Sequence, residues 1–464
     1  MNLALPRRVK IPFDFINFCS KFAVKPADMV FDKLFGWVRK KEEDPPIPFG
    51  RYSDNNKSVQ KVQRWTDADE LFKEKEFMKS IEAFFDYLCD DEQQNVEVHR
   101  QNGIINFTLY QGSKIIRGKI DNERITAETA IARMPEPSIP VMRRLLEMDF
   151  HLYYSRYALK DNVIMMLFGS DIVTATPNKL YYGLKELATK ADKQDDLLIS
   201  EFKFLQPVDT DHIVPLAEQE KDVKYSFLQN WIRETLDYIE TLDTDKFSGG
   251  ISYLLLTLVF RIDYLISPEG KILSELEKIA SSYYSKDDKS SPERNPVMIE
   301  GFKKLLNKPK EEIFAQFFRS KYTFAIVVPH NMKAVSEAIQ TALQNMTWYR
   351  DNNYPDIANK VMEYGFAFSQ YSYSLPKPLS DLFRLFMQIN YGQYFKMLGF
   401  QTTYYDEAKN SFNEEVIDDK IDSIIYYWKP KYPALAFKTK KLKFDTLVNF
   451  NESFLQEVSE LNFE

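Results

Sequence analysis

Apolar and polar residues alternate from Ile104 to Tyr110, placing Ile105, Phe107 and Leu109 on one face, the period of a strand packed on one side. Asn102-Gly103 before this run supplies the positive φ values of a tight hairpin, so Asn95–Arg100 and Ile104–Tyr110 read as paired strands. Gln111-Gly112-Ser113 turns the chain into a third strand, Lys114–Ile120, and Arg124–Met134 continues as a strand or an irregular connection. Pro135-Glu136-Pro137 ends the run, and Ser138 caps a short helix with Val141, Leu145 and Met148 inward. A second hairpin follows, His151–Leu159 and Val163–Phe168 about the turn Lys160-Asp161-Asn162. Helical spacing flanks these strands. Before them, Thr66 caps an apolar stripe of Leu71, Met78, Ile81, Phe85 and Leu88 that runs to Cys89. After them, Pro177 opens a long helix bearing Leu180, Leu184, Leu187, Ala191 and Leu198. The order helix, three strands, helix, two strands, helix predicts an α+β unit, an antiparallel sheet with helices on one side, over residues 51–205.

Beyond residue 206 the spacing is helical throughout. Val223–Leu242, Ser248–Ile266, Lys271–Tyr284, Lys310–Ser320, Met332–Tyr349, Asp356–Tyr371, Leu379–Leu398 and Glu414–Trp428 read as helices of an all-α domain over 206–464. The polar run Lys286–Pro292 reads as an exposed loop, a sub-boundary near 286–295. No consensus repeats, although stacking of tetratricopeptide type fits residues 330–400. Residues 1–50 form a separate segment. Its first 41 residues hold nine Lys/Arg against three Asp/Glu, and two short helices are expected over Phe13–Phe22 and Pro26–Val38. Asp44-Pro45-Pro46-Ile47-Pro48 then reads as a stiff linker.

The stretch Ile139-Pro140-Val141-Met142-Arg143-Arg144-Leu145-Leu146-Glu147-Met148, followed by Tyr157-Ala158-Leu159-Lys160-Asp161-Asn162-Val163-Ile164, resembles the type III secretion chaperone-like fold, particularly its bacterial YbjN-like relatives. The resemblance covers residues 66–202 and lies in pattern and order. It implies a non-catalytic fold, often dimeric, whose sheet or helical face binds an extended or helical segment of another protein. It carries no site residue across.

Composition narrows the chemistry. The 464 residues include four His, two Cys and 14 Gly, against 36 Phe, 27 Tyr and 5 Trp. That stock suits packing better than catalysis. Few glycines favour helix over Rossmann sheets. Cys19 and Cys89 are too few for a disulfide framework and read as buried thiols of a reducing compartment. The net charge of −7 is well mixed, so nucleic acid is not the expected partner. The longest apolar stretch, Ile251–Phe260, ends at Arg261 at about half the length of a membrane span. These features together predict a cytoplasmic protein.

Specific motifs fail on spacing. Gly112-Ser113-Lys114 through Gly118-Lys119-Ile120 separates its glycines by five residues where a phosphate loop needs four, and Ile120 replaces the magnesium-binding hydroxyl. Asp243–Leu254 lacks the glycine and the terminal Glu of a calcium loop. His99, His151, His212 and His330 are far apart, so no metal or cofactor is expected. Acidic pairs such as Asp195-Asp196 read as a solvated face, and the run Lys438–Lys443 as surface.

The expectation is therefore a non-enzymatic protein-binding protein, acting as adaptor, specificity chaperone or assembly scaffold. Phe13, Ile16, Phe35 and Trp37, together with Phe383, Phe386, Tyr391 and Tyr394, are the candidate partner-binding residues. Two alternatives stand. One is an enzyme or small-ligand sensor with a site between the units, marked by convergence of two or more of His151, His212 and His330. The other is a structural subunit of a larger assembly, marked by large apolar patches on several faces.

Overall fold

The computed structural model describes residues 44–53, 57–90, 93–324, 328–329 and 332–463. Phe13, Ile16, Phe35, Trp37, Cys19, His330 and the two expected N-terminal helices lie outside them.

The first helical stripe is a hairpin of two helices, α1 (Val59–Lys73) and α2 (Phe77–Leu88), where the spacing predicts one. The chain reverses at Lys75, whose φ is +66°, within Glu74-Lys75-Glu76, which offers nothing apolar to bury. Thr66 therefore lies mid-helix. The cap is Ser58, whose hydroxyl accepts the Lys61 N–H at 3.3 Å.

The sheet is antiparallel and α+β as expected, with six strands in the order β1-β2-β3-β4-β6-β5. They are β1 (Val96–Gln101), β2 (Ile104–Gln111), β3 (Lys114–Ile120), β4 (Arg124–Arg133), β5 (Ser155–Lys160) and β6 (Val163–Asp171). Arg124–Arg133 is thus a full strand, with a bulge between Ala130 and Ala132 that brings the adjacent Ile131 and Ala132 both inward. Asn102 and Gly103, then Asp161 and Asn162, all take the positive φ that two-residue hairpins require. One face is buried, by Ile105, Phe107, Leu109, Ile116, Ile125, Met166 and Phe168, and α4 (Pro177–Glu201) lies across it. Glu97, His99, Asn106, Arg117 and Glu128 alternate onto the other face. Between β4 and β5 in the chain stands α3 (Ile139–Asp149), whose Val141, Leu145 and Met148 are buried as the spacing predicts.

The remaining chain is helical: α5 (Glu218–Glu240), α6 (Ser248–Arg261), α7 (Gly270–Tyr284), α8 (Ser291–Leu306), α9 (Lys310–Phe314), α10 (Met332–Asp351), α11 (Pro355–Ser372), α12 (Lys377–Asn390), α13 (Gly392–Met397), α14 (Glu414–Trp428) and α15 (Leu447–Ser459). The spacing does not anticipate α8 or α15. In α8, Pro292 and Pro296 obscure a helix that opens on a Ser290/Glu293 capping box. The helix expected over Leu379–Leu398 breaks at Tyr391, which leaves helical angles. Ser248–Ile266 is long and apolar enough to cross a membrane, but 89% of its most apolar window is buried inside the protein. It continues past Arg261 because Glu363 pairs with that side chain at 3.1 Å, and it ends in a π turn at Ile262–Ile266.

Two segments join sheet and helices. Asp44–Pro48, expected as a stiff linker, packs on the helical core together with Phe49: Ile47 is buried, and the Phe49 ring lies tilted against those of Phe395 and Phe400 at 5.1 and 5.9 Å. Lys321–Phe324 crosses the other way. Gln111 Oε1 accepts the N–H groups of Thr323 and Phe324 at 3.2 and 3.1 Å, and Phe324 is buried in the sheet unit's core.

Between the units lies a carboxylate centre. Asp192 Oδ1 accepts from the Ser113 N–H at 2.7 Å, and Asp195 Oδ2 meets the buried Lys114 ammonium at 2.7 Å. Gly112 has φ +55°, and a side chain there would collide with Asp192, so the Gly-Ser-Lys run serves this junction. Asp195 is buried and Asp196 half-buried, which corrects the solvated-face reading: α4 turns this side toward β3 and the start of α7. Burial, then repulsion by Asp195, pushes the Asp196 carboxyl up to about 7; Glu269 adds to the effect and Lys114 opposes it. A carboxyl whose folded-state value is raised favours the folded state most below the unfolded-chain value near 3.8, and this contribution is lost as pH climbs through about 7. Asp196→Asn is therefore expected to be more stable than the parent at pH 8, by about 1–2 kcal/mol after allowance for solvent at this half-buried site. The difference should vanish near pH 4 in thermal melts.

Candidate functional site: an apolar docking face and a strapped cavity

Once Val141, Leu145 and Met148 face inward, α3 still carries Ile139, Met142 and Leu146, followed by Phe150. Their spacing of three, four and four residues makes a second apolar stripe on the outward side. Ile139 is 84% exposed, Leu146 73% and Phe150 85%, and Tyr153 just beyond reaches 91%. Leu159 of β5, a strand at the end of the sheet, is also exposed. The rim is charged with both signs, by Arg143, Arg144 and Glu147. A depression of about 750 Å³ runs beside Phe150, between the end of α3, Tyr157 of β5, and Lys190 and Gln194 of α4.

These rings are held outward by a fixed backbone. The Glu186 carboxylate accepts the N–H groups of Tyr153, Tyr154 and Ser155, each at 2.8 Å. Asp149 Oδ1 accepts that of Tyr157, also at 2.8 Å. These four charge-assisted hydrogen bonds fix the backbone, and the groups it presents are largely hydrocarbon.

The aromatic residues expected at a partner surface in the helical half are placed elsewhere. Phe383, Phe386 and Tyr394 are fully buried, and Tyr391 is half-buried. Phe383 packs on Tyr264 and Phe366, Phe386 on Phe366 and Phe454, and the Tyr394 hydroxyl donates to Leu265 O at 2.7 Å. The Arg261 guanidinium lies 4.6 Å from the Tyr391 ring centroid, and the Tyr391 hydroxyl donates to Glu363. Helical spacing shows that such residues share a face; neighbouring helices decide that the face is covered.

A second concavity lies in the helical half, about 410 Å³ under a strap formed by Gly50–Ser53. Gly50 donates its N–H to Tyr264 O at 2.9 Å with φ +72°, and a Cβ there would sit 2.9 Å from the Tyr264 ring. Only glycine lets the strap lie this close. Next to it, Arg51 gives Nε to Asp263 Oδ1 at 3.0 Å, Nη1 to Glu269 Oε1 at 3.3 Å and Nη2 to Pro268 O at 2.9 Å. Burial alone would lower the Arg51 pKa, but Asp263 and Glu269 hold it well above its ordinary value. The π turn aims Asp263 and Tyr264 into the cavity, as such turns often do at functional sites.

His151 borders the depression beside α3, whereas His212 hydrogen-bonds Gly112 O at 3.2 Å and His99 is exposed on β1. The described histidines thus do not converge. Among the described residues no three His, Cys, Asp or Glu side chains are arranged to hold a metal ion. Lys441, in the C-terminal basic run, pairs with Glu457 at 2.6 Å. The chain matches no protein-family model and no curated protein sequence.

Proposed function

We propose that this chain is a non-catalytic protein-binding protein, acting as adaptor, specificity chaperone or assembly scaffold, and that the outward stripe of α3 receives a helical segment of another polypeptide. The observation that carries the reading is a row of large apolar side chains held in water by a rigid, hydrogen-bonded backbone. Covering each such side chain is worth roughly 1.5–3 kcal/mol, enough in sum to offset part of the entropy of association. The i, i+3, i+7, i+11 spacing suits an amphipathic helix laid alongside, and rim charges of both signs would set its register.

The test is capture from the native host after mild cross-linking, with the parent chain and a Leu146→Lys/Phe150→Ser variant compared at equal folded amounts. The expected result is one or two partners at near-stoichiometric yield, lost in the variant. Sedimentation of the parent alone would identify a second copy as the occupant. Recovery of the same partners by both chains would overturn the assignment of this face.

A further inference from the structure

We propose that the strapped cavity is a binding site for a small organic cation, an amine or guanidine whose apolar body lies against Phe260, Tyr264, Tyr371 and Tyr373. The inference stands apart from the docking face, because it rests on the groups around the cavity alone. Its volume of about 410 Å³ lies within the range of small-molecule sites.

The charge balance favours a cation over an anion. Arg51 is the only cationic side chain in the described lining, and all three of its nitrogens are already engaged. Two carboxylates neutralise it, Asp263 within the cavity wall and Glu269 behind, the latter also accepting the Tyr322 hydroxyl at 2.6 Å. Glu277 contributes a further carboxylate at the mouth, where Lys193 reaches it at 3.1 Å from outside the lining. A bound anion would face Asp263 and Glu277 with no uncommitted cation to receive it. A bound cation would face both carboxylates.

The hydrogen-bonding balance agrees. Gln370 Oε1 is buried and has no hydrogen-bond partner among the described residues, although Gln370 lines the cavity. The oxygen is covered in this conformation, and rotation of the side-chain amide would present a carbonyl acceptor to an N–H group in the cavity. The walls are also of the right kind. Phe260, Tyr264, Tyr371 and Tyr373 all line the cavity, and aromatic rings attract cations.

The experiment is isothermal titration of the full chain with agmatine, which carries an amine and a guanidinium. Succinate and 1,4-butanediol serve as anionic and neutral probes of similar reach at constant ionic strength. Agmatine is expected to bind one-to-one with a Kd below about 1 mM, at least about tenfold tighter than either control. Glu277→Gln and Gln370→Leu are each expected to weaken it by about three- to tenfold while the melting curve keeps its midpoint within a few degrees. Asp263 is kept, because its loss would strand Arg51 and threaten folding. No agmatine heat at about 10 mM, equal or tighter binding of succinate or butanediol, or agmatine binding unchanged in both variants would each overturn the proposal.

Discussion

Glu363→Ala is expected to lower the free energy of unfolding by about 3–5 kcal/mol, one of the two largest effects foreseen for this chain. Glu363 sits in the middle of the helical core with Arg261 Nε at 3.1 Å and Lys360 Nζ at 3.0 Å, and it accepts the Tyr391 hydroxyl. Burial alone would raise its carboxyl; Arg261 and Lys360 instead hold it below the usual range. Truncation leaves the buried Arg261 guanidinium with aromatic faces, Trp231 at 5.5 Å and Tyr391 at 4.6 Å, but no counter-charge. The penalty is therefore desolvation of an unpaired charge, beyond the loss of one attractive contact. Urea unfolding of the parent, Glu363→Ala, Arg261→Met and the double variant Arg261→Met/Glu363→Leu checks this. The apolar double variant should recover most of the loss. A Glu363→Ala midpoint equal to the parent's would show that the network carries little of the fold's stability. Because the folded-state value is depressed, the Glu363 contribution is present above about 4.5, its ordinary value, and is lost as pH falls through the depressed one.

Phe386→Ala is expected to cost about 3–5 kcal/mol of stability, and Phe150→Ala less than about 0.5. Phe386 is fully buried against Phe366 of α11 and Phe454 of α15, so truncation opens a cavity that these packed helices close only in part. Phe150 stands in water and loses almost nothing in the folded chain. Partner capture should show the reverse order. Phe150→Ala or Leu146→Ala should weaken it by about tenfold or more, as central interface anchors do, while Phe386→Ala should reduce it only through the folded fraction. Thermal melts beside capture yields decide the matter. A fully folded Phe386→Ala that has lost its partner would return the binding surface to the helical half.

The outward stripe of α3 was legible in part. Ile139, Met142, Leu146 and Phe150 are apolar residues left over after Val141, Leu145 and Met148 are turned inward, and a helix apolar on two sides needs two covers. That leftover was the available signal. The strapped cavity left none, because its parts come from Gly50–Ser53, the π turn, α7 and the end of α11, more than 300 residues apart in places.

Local chemistry alone determined the strands, their hairpin turns and most of the helices. Asn102-Gly103 and Asp161-Asn162 bend the chain wherever they occur, and a period of two or 3.6 can be read within a single element. Covering was a tertiary decision. Asp195-Asp196 looks solvated until α4 lies against β3 and α7; the Tyr/Phe run of α12 and α13 looks available until other helices close over it; Arg261 looks like the end of an apolar stretch until Glu363 arrives from 102 residues away. Periodicity says which side chains share a face. Whether that face meets water depends on what the rest of the chain packs against it, and that contact is made only when distant segments fold together.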